Sequence, residues 1–363
     1  MIKKSYFNYL INPLGSLSTK KVLQVNPTVA SNRKEADNIA IYLVEYNSEN
    51  CVFKKLDNIE DSYKHLHTKE ISWINIDGIK KSEVEKIASR FGIHPLIIED
   101  IVSSGQRPKT DQINGLLFCV LNMLYFNEKE SSVETEQISI VLGKDFVISF
   151  QEDATRDVFN VLREKIKISN SKVRQNGADF LFYTLLDSIV DHYYLVMEKL
   201  AEKIEALEED ILKNSDSRTL IKINMLRKEM ILLKRSVGPV RDLINGILKS
   251  ETELIESKTE KYFKDVFDHI IQANDLAENY RDMMINLQDL YMSHVNLKQN
   301  EVMKVMAIVT CLLAPATVIG AVFGMNFEQI PMLHNKWGFG ICVLLMVSIP
   351  IWMISFFKRD TIP

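Results

Sequence analysis

Two long segments without charge lie near the carboxyl-terminal end of the chain. Residues 305–327 and 337–357 contain no Asp, Glu, Lys or Arg and are 23 and 21 residues long. A helix needs about 20 mostly apolar residues to cross a bilayer. The pattern therefore predicts a first span at 304–327, an external turn at 328–336, a second span at 337–357 and a short tail at 358–363.

The segment before the spans has a helical pattern. Residues 178–237 contain neither Gly nor Pro. Apolar residues recur there at alternating spacings of three and four, which is a heptad repeat: Val190, Tyr193, Met197, Leu200, Ile204, Leu207 and Ile211. The repeat stops at 214–217 and resumes afterwards, so 178–246 is predicted to be an antiparallel helical hairpin. Gly238-Pro239 is expected to end its second helix.

A second uninterrupted run follows the hairpin. No Gly or Pro occurs from Ile247 to Ala314, which predicts a stalk helix at 247–303 that continues into the first span. At 1.5 Å per residue, such a helix is roughly 100 Å long. A helix of that length needs neighbours to bury its apolar face, so we expect a symmetric oligomer.

The amino-terminal part alternates between two patterns. A helical stretch runs from Lys81 to Ile101, whereas residues 1–35 carry no readable motif. Short runs rich in β-branched and aromatic residues are typical of strands: Ile39–Tyr46, Ile71–Ile76, Leu116–Tyr125, Gln137–Leu142 and Phe146–Phe150. Alternating strands and helices predict an α/β domain over residues 1–177.

Charge and composition restrict location and function class. The net charge is −4, and four scattered cysteines form no C-x-x-C pair, so neither a disulfide framework nor a structural zinc site is indicated. No secretory signal is recognisable. Lys298 and Lys304 precede the first span, and Lys358 and Arg359 follow the second, which predicts cytoplasmic termini in an inner or plasma membrane. No nucleophile–base pair, phosphate loop or basic nucleic-acid patch is found. Enzyme and nucleic-acid functions have no support.

One stripe of residues follows the stalk into the first span. Its members are spaced so that they share a helix face: Asp289, Asn300, Met303, Met306, Thr310, Ala314 and Thr317. Small and hydroxyl residues within a span suit either close helix packing or a water-filled path. The span ends at Gly324-Met325-Asn326, where a Gly cap would aim the negative end of the helix dipole at the entrance. That combination favours a cation pore.

Several segments resemble the CorA family of magnesium and cobalt transporters, and the resemblance covers most of the chain. The central motif is Gly324-Met325-Asn326, which ends the first of two carboxyl-terminal spans. The other similar segments occur in the family's order: His94–Ile101, Gln106–Lys109, Tyr262–His269, Asn300–Val305 and Phe327-Glu328.

The resemblance implies a funnel-shaped homopentamer in which the first span of each protomer lines the pore. Asn326 would form the ring at the entrance, Thr317 a polar ring below it, and Met303 with Met306 a hydrophobic constriction. Mg²⁺ gives up its waters reluctantly, so a neutral carboxamide is suited to select the hydrated ion. The implied function is Mg²⁺ influx down the membrane potential, with Co²⁺ and Ni²⁺ as further candidates.

The family's own regulation implies a second role for Mg²⁺, which would bind between cytoplasmic domains and hold the pore shut. The matching residues are Asp100 and Asp265, with Glu99 and Asp187 as second-site contributors. For Asp187 and Asp191, an ordinary surface pair is an equal alternative.

The chain departs from the family in the external turn, and two other functions remain as alternatives. Glu328 is the only acid in the external turn, where Met332 replaces an acid that is common in the family. A zinc transporter of the same superfamily and a non-conducting membrane-tethered sensor remain as alternatives.

Overall fold

The structure is a computed structural model of the chain. It describes residues 35–36, 39–65, 70–153, 156, 158–213, 216–326, 330–332 and 335–360. Two compact units are formed: one comprises the described residues up to Glu208 with Ile221–Asn286, and the other comprises Glu209–Leu220 with Leu287–Pro363. Phe327 and Glu328 lie outside the described residues.

A seven-stranded mixed sheet forms the centre of the first unit. The strands lie in the order β2-β1-β3-β7-β6-β5-β4, and every neighbouring pair is antiparallel except β3 and β7, which are parallel. In chain order they are β1 (Ala40–Tyr46), β2 (Cys51–Leu56), β3 (Ile71–Asp77), β4 (Lys109–Ile113), β5 (Leu116–Asn127), β6 (Ser132–Leu142) and β7 (Phe146–Gln151). The predicted α/β domain is confirmed, and it carries two edge strands, β2 and β4, that were not predicted.

Two helices cover one face of the sheet where the sequence pattern predicted a single one. Helix α1 spans Lys81–Phe91 and α2 spans Pro95–Val102. Gly92 ends α1 in the left-handed region at φ 69°, where a residue without a Cβ is favoured. The His94 side chain accepts a hydrogen bond from the Leu96 N–H, and Pro95 occupies the first turn, so α2 starts anew. Ile87, Ile97 and other apolar residues of both helices pack onto the sheet in one core.

One short helix and two long helices follow the sheet in the chain. A short helix, α3 (Asn160–Lys167), is followed by α4 (Ala178–Lys213) and α5 (Ser217–Lys249). The predicted heptad positions from Val190 to Ile211 are buried in α4. The repeat resumes in α5 at positions that are also buried, namely Leu226, Met230, Leu233 and Val237. Burial of these side chains stabilises the hairpin, because each fully buried Leu or Ile contributes about 1.5–3 kcal/mol.

Helix α5 does not end at Gly238-Pro239 as expected. It continues through Pro239 to Lys249, although Pro removes one backbone hydrogen bond. Apolar residues after Pro239 keep the helical spacing and are buried, namely Val240, Leu243, Ile244 and Ile247. Packing of this apolar face outweighs the local cost of the proline.

Helix α6 begins later than the sequence pattern predicted. It spans Ser257–Phe323 instead of starting at residue 247, and it continues through Pro315. The buried Asp179 of α4 accepts a hydrogen bond from the Glu256 N–H at 3.1 Å, next to the first turn of α6. A carboxylate from another helix therefore stabilises this start.

The last helix, α7 (Gly338–Asp360), belongs to the second unit together with the end of α6. A Cβ on Gly320 of α6 would lie 3.8 Å from the Met346 Cε of α7, so the two helices are neighbours there. At the other end of this unit, the Tyr291 hydroxyl donates to the Asp216 carbonyl.

Candidate ion path and candidate cation site

The carboxyl-terminal helices are apolar and exposed. The most apolar windows of α6 and α7 both have a mean hydropathy of 2.3, and 0% and 6% of them is buried within the chain. In the part of the chain that the structure describes, two helices are thus long and apolar enough to cross a membrane. Because the apolar surface is uncovered, these windows differ from the buried core helix of a water-soluble protein.

Asn326 lies directly beyond the end of the first apolar helix. Helix α6 ends at Phe323, where the Gly324 N–H donates to the Gly320 and Ala321 carbonyls at 3.0 and 3.2 Å. The Met325 N–H donates to the Val322 carbonyl at 3.3 Å. These bonds close the last turn, and Asn326 follows as an exposed residue. A carboxamide at this place is available to a ligand that approaches the helix end.

The stripe predicted on α6 is exposed along its whole length in the single chain. The Thr310 hydroxyl donates to the Met306 carbonyl at 2.8 Å, and the Thr317 hydroxyl donates to the Leu313 carbonyl at 3.0 Å. Each hydroxyl oxygen keeps acceptor capacity, because the bond uses its hydrogen. The exposed members of the stripe are Asp289, Asn300, Met303, Met306, Thr310, Ala314 and Thr317. Exposure of the stripe fits both alternatives, a helix interface and a lined path.

Asp100 has a cationic partner within its own chain. The Lys109 Nζ lies 2.6 Å from the Asp100 Oδ2, and the Asp100 side chain is 15% exposed. Burial lowers the pKa of Lys109, but the hydrogen bond and charge of Asp100 together with Asp111 outweigh burial and raise it. The neighbouring Glu99 is exposed. Both acids belong to the end of α2.

Asp187 belongs to a three-residue group that could hold a cation. One ligand atom each of Asp187, Asp191 and His269 lies within 4.8 Å of the other two. The pKa of Asp187 is raised, chiefly by burial and then by the charge of Asp191. Two carboxylates and an imidazole are suitable ligands for a divalent metal ion, and the His nitrogen suits ions such as Co²⁺ better than Mg²⁺.

Asp265 is exposed on α6, one helical turn before His269. Its charge contributes to the raised pKa values of Asp187 and of Tyr183, after burial and nearer groups. Asp265 therefore lies near the Asp187 group. Among the described residues, the group that could hold a metal ion includes Asp187 but not Glu99, Asp100 or Asp265.

The sequence did not lead to His269 as a site residue, and for Asp191 an ordinary surface pair with Asp187 was an equal alternative. A usable signal was present, because Asp187 and Asp191 are four residues apart on α4, and Asp265 and His269 are four apart on α6. Residues at this spacing share one helix face. That α4 and α6 turn these faces toward each other depends on their packing, which spacing alone does not reveal.

An amino-terminal α/β domain, long helices and two exposed apolar carboxyl-terminal helices with an exposed Asn between them indicate a membrane protein. The family model described as "CorA-like Mg2+ transporter protein" matches residues 68–359. The chain therefore belongs to the CorA-like transporter family, as the Gly324-Met325-Asn326 motif predicted.

Relatives with similarity over most of their length support the assignment. The chain is 35% identical over 344 residues to the Cobalt/magnesium transport protein CorA of Thermotoga maritima, which covers 94% of this chain and 97% of the relative. It is 30% identical to the Putative metal ion transporter YfjQ of Bacillus subtilis, with 78% and 88% covered. The solved CorA magnesium transporter of Methanocaldococcus jannaschii has the same fold, with a TM-score of 0.72, 23% identity, and 89% and 99% of the two chains covered.

Proposed function

We propose that this chain forms a channel for divalent cations that carries Mg²⁺ into the cell. The observation that carries the proposal is the place of Asn326, exposed directly after the apolar end of α6. Relatives named for magnesium, cobalt and metal-ion transport support the choice of cargo. The membrane potential supplies about 2.3 kcal/mol per charge per 100 mV, so a divalent ion needs no other energy source.

The path would be lined by α6 from several protomers. A carboxamide ring at Asn326 would hydrogen-bond the waters of hydrated Mg²⁺ without removing them, because this ion releases its waters reluctantly. Gly324 and Met325 would place that ring at the end of the span. The hydroxyl oxygens of Thr310 and Thr317 would accept hydrogen bonds from the same waters, and Met303 with Met306 would form an apolar constriction. Glu328 would add the charge of the external turn.

The assembly would be a homopentamer with its cytoplasmic domains on the side of both termini. The exposed apolar surface of α6 and α7 supports contact with lipid and with other copies of the chain. Mass measurement of the detergent-solubilised protein is expected to give five chains.

A second cation would regulate the channel from the cytoplasm. Asp187, Asp191 and His269 offer ligands, with Asp265 beside them, and Asp100 and Glu99 would contribute from a neighbouring protomer. Without the ion, the carboxylates repel one another, and this repulsion favours separation of the domains. The ion offsets the repulsion and holds the closed state.

The test of cargo and selectivity is uptake into proteoliposomes. Wild-type protein is expected to take up Mg²⁺ under an inside-negative potential, and Asn326→Ala is expected to reduce uptake at least tenfold. Gln299→Ala is the matched control, because it removes a carboxamide from an exposed position next to the stripe. It is expected to leave uptake unchanged.

Two outcomes would contradict the proposal. If wild-type protein transports no Mg²⁺, the chain is a sensor or carries another cargo, and uptake of Zn²⁺ in the same vesicles identifies the zinc alternative. If Asn326→Ala transports as well as wild type, Asn326 does not form the selective entrance.

A further inference from the structure

Three tyrosines of α4 donate hydrogen bonds from their hydroxyl groups to three different acceptors. Tyr183 donates to the Asp187 Oδ2 at 3.3 Å, Tyr193 to the Asn122 carbonyl of β5 at 2.6 Å, and Tyr194 to the His269 carbonyl of α6 at 2.6 Å. The first and third bonds end on members of the candidate cation group. The second anchors α4 to the sheet and has no contact with that group.

Tyr194 reaches the backbone of α6 at the turn that carries His269. The backbone of Ala273, four residues after His269, opposes the rise in the pKa of Tyr194 that burial causes, so it lies near the same hydroxyl. These two residues are the partners of one i→i−4 bond in a regular helix. The bond to the His269 carbonyl links α4 to α6 at this turn. Because Tyr194 comes one turn after Asp191, it holds the His269 turn close to the acids of α4.

Tyr183 is held by other aromatic rings. Its ring centroid lies 5.2 Å from those of Phe180 and Tyr262, and 5.9 Å from that of Phe263. The packed ring leaves the hydroxyl little freedom. It therefore presents its O–H to Asp187 from a fixed direction, and this bond orients the Asp187 carboxylate.

We propose that Tyr183 and Tyr194 are positioning residues of the regulatory cation site, Tyr183 for the Asp187 carboxylate and Tyr194 for the His269 imidazole. The inference rests on the proposed site at Asp187, Asp191 and His269. Neither tyrosine touches the ion in this arrangement. Tyr183 acts on the ligating carboxylate directly, and loss of such a hydrogen-bond partner costs about 10–100-fold in metal affinity. Tyr194 acts through the backbone turn that carries His269.

The experiment uses full-length protein in detergent with Mg²⁺ alone and with Co²⁺ alone. The measurement is the ion concentration that gives half-maximal protection of the cytoplasmic domain from protease, together with the visible absorption of bound Co²⁺. Tyr183→Phe is expected to raise both midpoints about tenfold. Tyr194→Phe is expected to raise the Co²⁺ midpoint more than the Mg²⁺ midpoint and to change the Co²⁺ spectrum, because Co²⁺ binds imidazole nitrogen better.

Tyr193→Phe is the matched control. It removes the same atom from the adjacent residue of the same helix, and it breaks a buried bond to the sheet instead of one to the cation group. It is expected to lower the unfolding temperature without moving either midpoint. A general loss of stability would therefore be distinguished from loss of ligand positioning.

Equal midpoints for wild type, Tyr183→Phe and Tyr194→Phe would overturn the proposal, as would shifts no larger than that of Tyr193→Phe. Asp187→Asn separates this failure from failure of the site itself. If Asp187→Asn leaves the midpoints unchanged, the proposed site is wrong. If it raises them and the tyrosine variants do not, only the positioning role is wrong.

A second comparison tests Tyr194 independently of its effect on folding. In a His269→Ala background, the further change Tyr194→Phe is expected to leave the Co²⁺ midpoint where His269→Ala alone puts it. A full additional shift in the double variant would show that Tyr194 does not act through His269.

Discussion

Glu136 is a buried acid of strand β6 that the ion path and the cation group do not use. Its Oε2 accepts from the Tyr125 hydroxyl at 2.7 Å, and its Oε1 accepts from the N–H groups of Glu152 and Asp153 at 2.8 and 2.9 Å. Burial raises the pKa of Glu136, although these hydrogen bonds oppose the rise. The Glu136 carboxyl group therefore connects Glu152 and Asp153, which follow β7, to strand β6 by hydrogen bonds.

The raised pKa makes stability depend on pH at this residue. The folded state holds the proton more tightly than the unfolded state, so the stabilisation is present below the ordinary pKa and is lost as the pH rises through the raised value. Glu136→Gln keeps an uncharged group of the same shape. We expect wild-type protein to lose stability relative to this variant as the pH rises above about 4.5. The loss is about 1.4 kcal/mol for each pH unit that separates the folded-state pKa from the ordinary one.

Thermal unfolding of both proteins in detergent between pH 4 and 8 measures this difference. A constant difference in unfolding temperature over the whole range would show that Glu136 does not titrate with a raised pKa in the folded state.

At the level of elements, helix α5 approaches edge strand β4 at Gly246. A Cβ at this position would lie 2.8 Å from the Thr110 Cγ2. The Thr110 hydroxyl donates to the Phe118 carbonyl at 3.0 Å, which holds the Thr rotamer and keeps its methyl group in place. The helix comes this close to the strand because Gly246 has no side chain.

Gly246→Ala sets two effects against each other. Ala favours an interior helical position by about 1 kcal/mol over Gly, whereas overpacking costs about 1–3 kcal/mol. We expect a net loss of about 1 kcal/mol, because the hydrogen-bonded Thr110 cannot rotate away freely. Thr110→Ser removes the methyl group and keeps the hydroxyl, so the double variant is expected to recover wild-type stability or exceed it.

Denaturant unfolding of both single variants and the double variant gives the coupling energy. Additive effects of the two changes would show that the Cβ and the methyl group do not meet.

At the level of the whole molecule, one helix carries both candidate functions. Asp265 and His269 lie near the beginning of α6, and the same helix ends immediately before Gly324-Met325-Asn326. In the proposed mechanism, the ion at the cytoplasmic site restrains α6, and loss of the ion frees the helix that bears the entrance. The proposed regulatory site and the proposed selective entrance thus share one helix.

This arrangement predicts the behaviour of a double variant. Asp100→Asn with Asp265→Asn is expected to leave the cytoplasmic domain protease-sensitive at Mg²⁺ concentrations that protect wild type. Asp111→Asn with Asp268→Asn is the matched control, because it removes the same charge from β4 and α6, next to the proposed ligands. Mg²⁺-dependent protection that is unchanged in the first double variant would refute the assignment of Asp100 and Asp265.

The sequence by itself was sufficient for the membrane helices, the heptad repeat of the hairpin and the family. These features depend on composition, length and spacing within one segment, which is why residues 305–327 and the Val190–Ile211 repeat are recognisable without a fold. The Gly324-Met325-Asn326 motif is equally local. The α/β class also followed, because its buried central strands are rich in β-branched residues.

Only the tertiary structure decided the remaining features. Edge strand β4 is short and polar and exists because β5 pairs with it, while α5 passes Pro239 because its apolar face is buried. Asp187 meets His269 from a distant part of the chain. Each of these depends on contacts between segments far apart in sequence. Their packing energy outweighs local preference, and no local pattern records it.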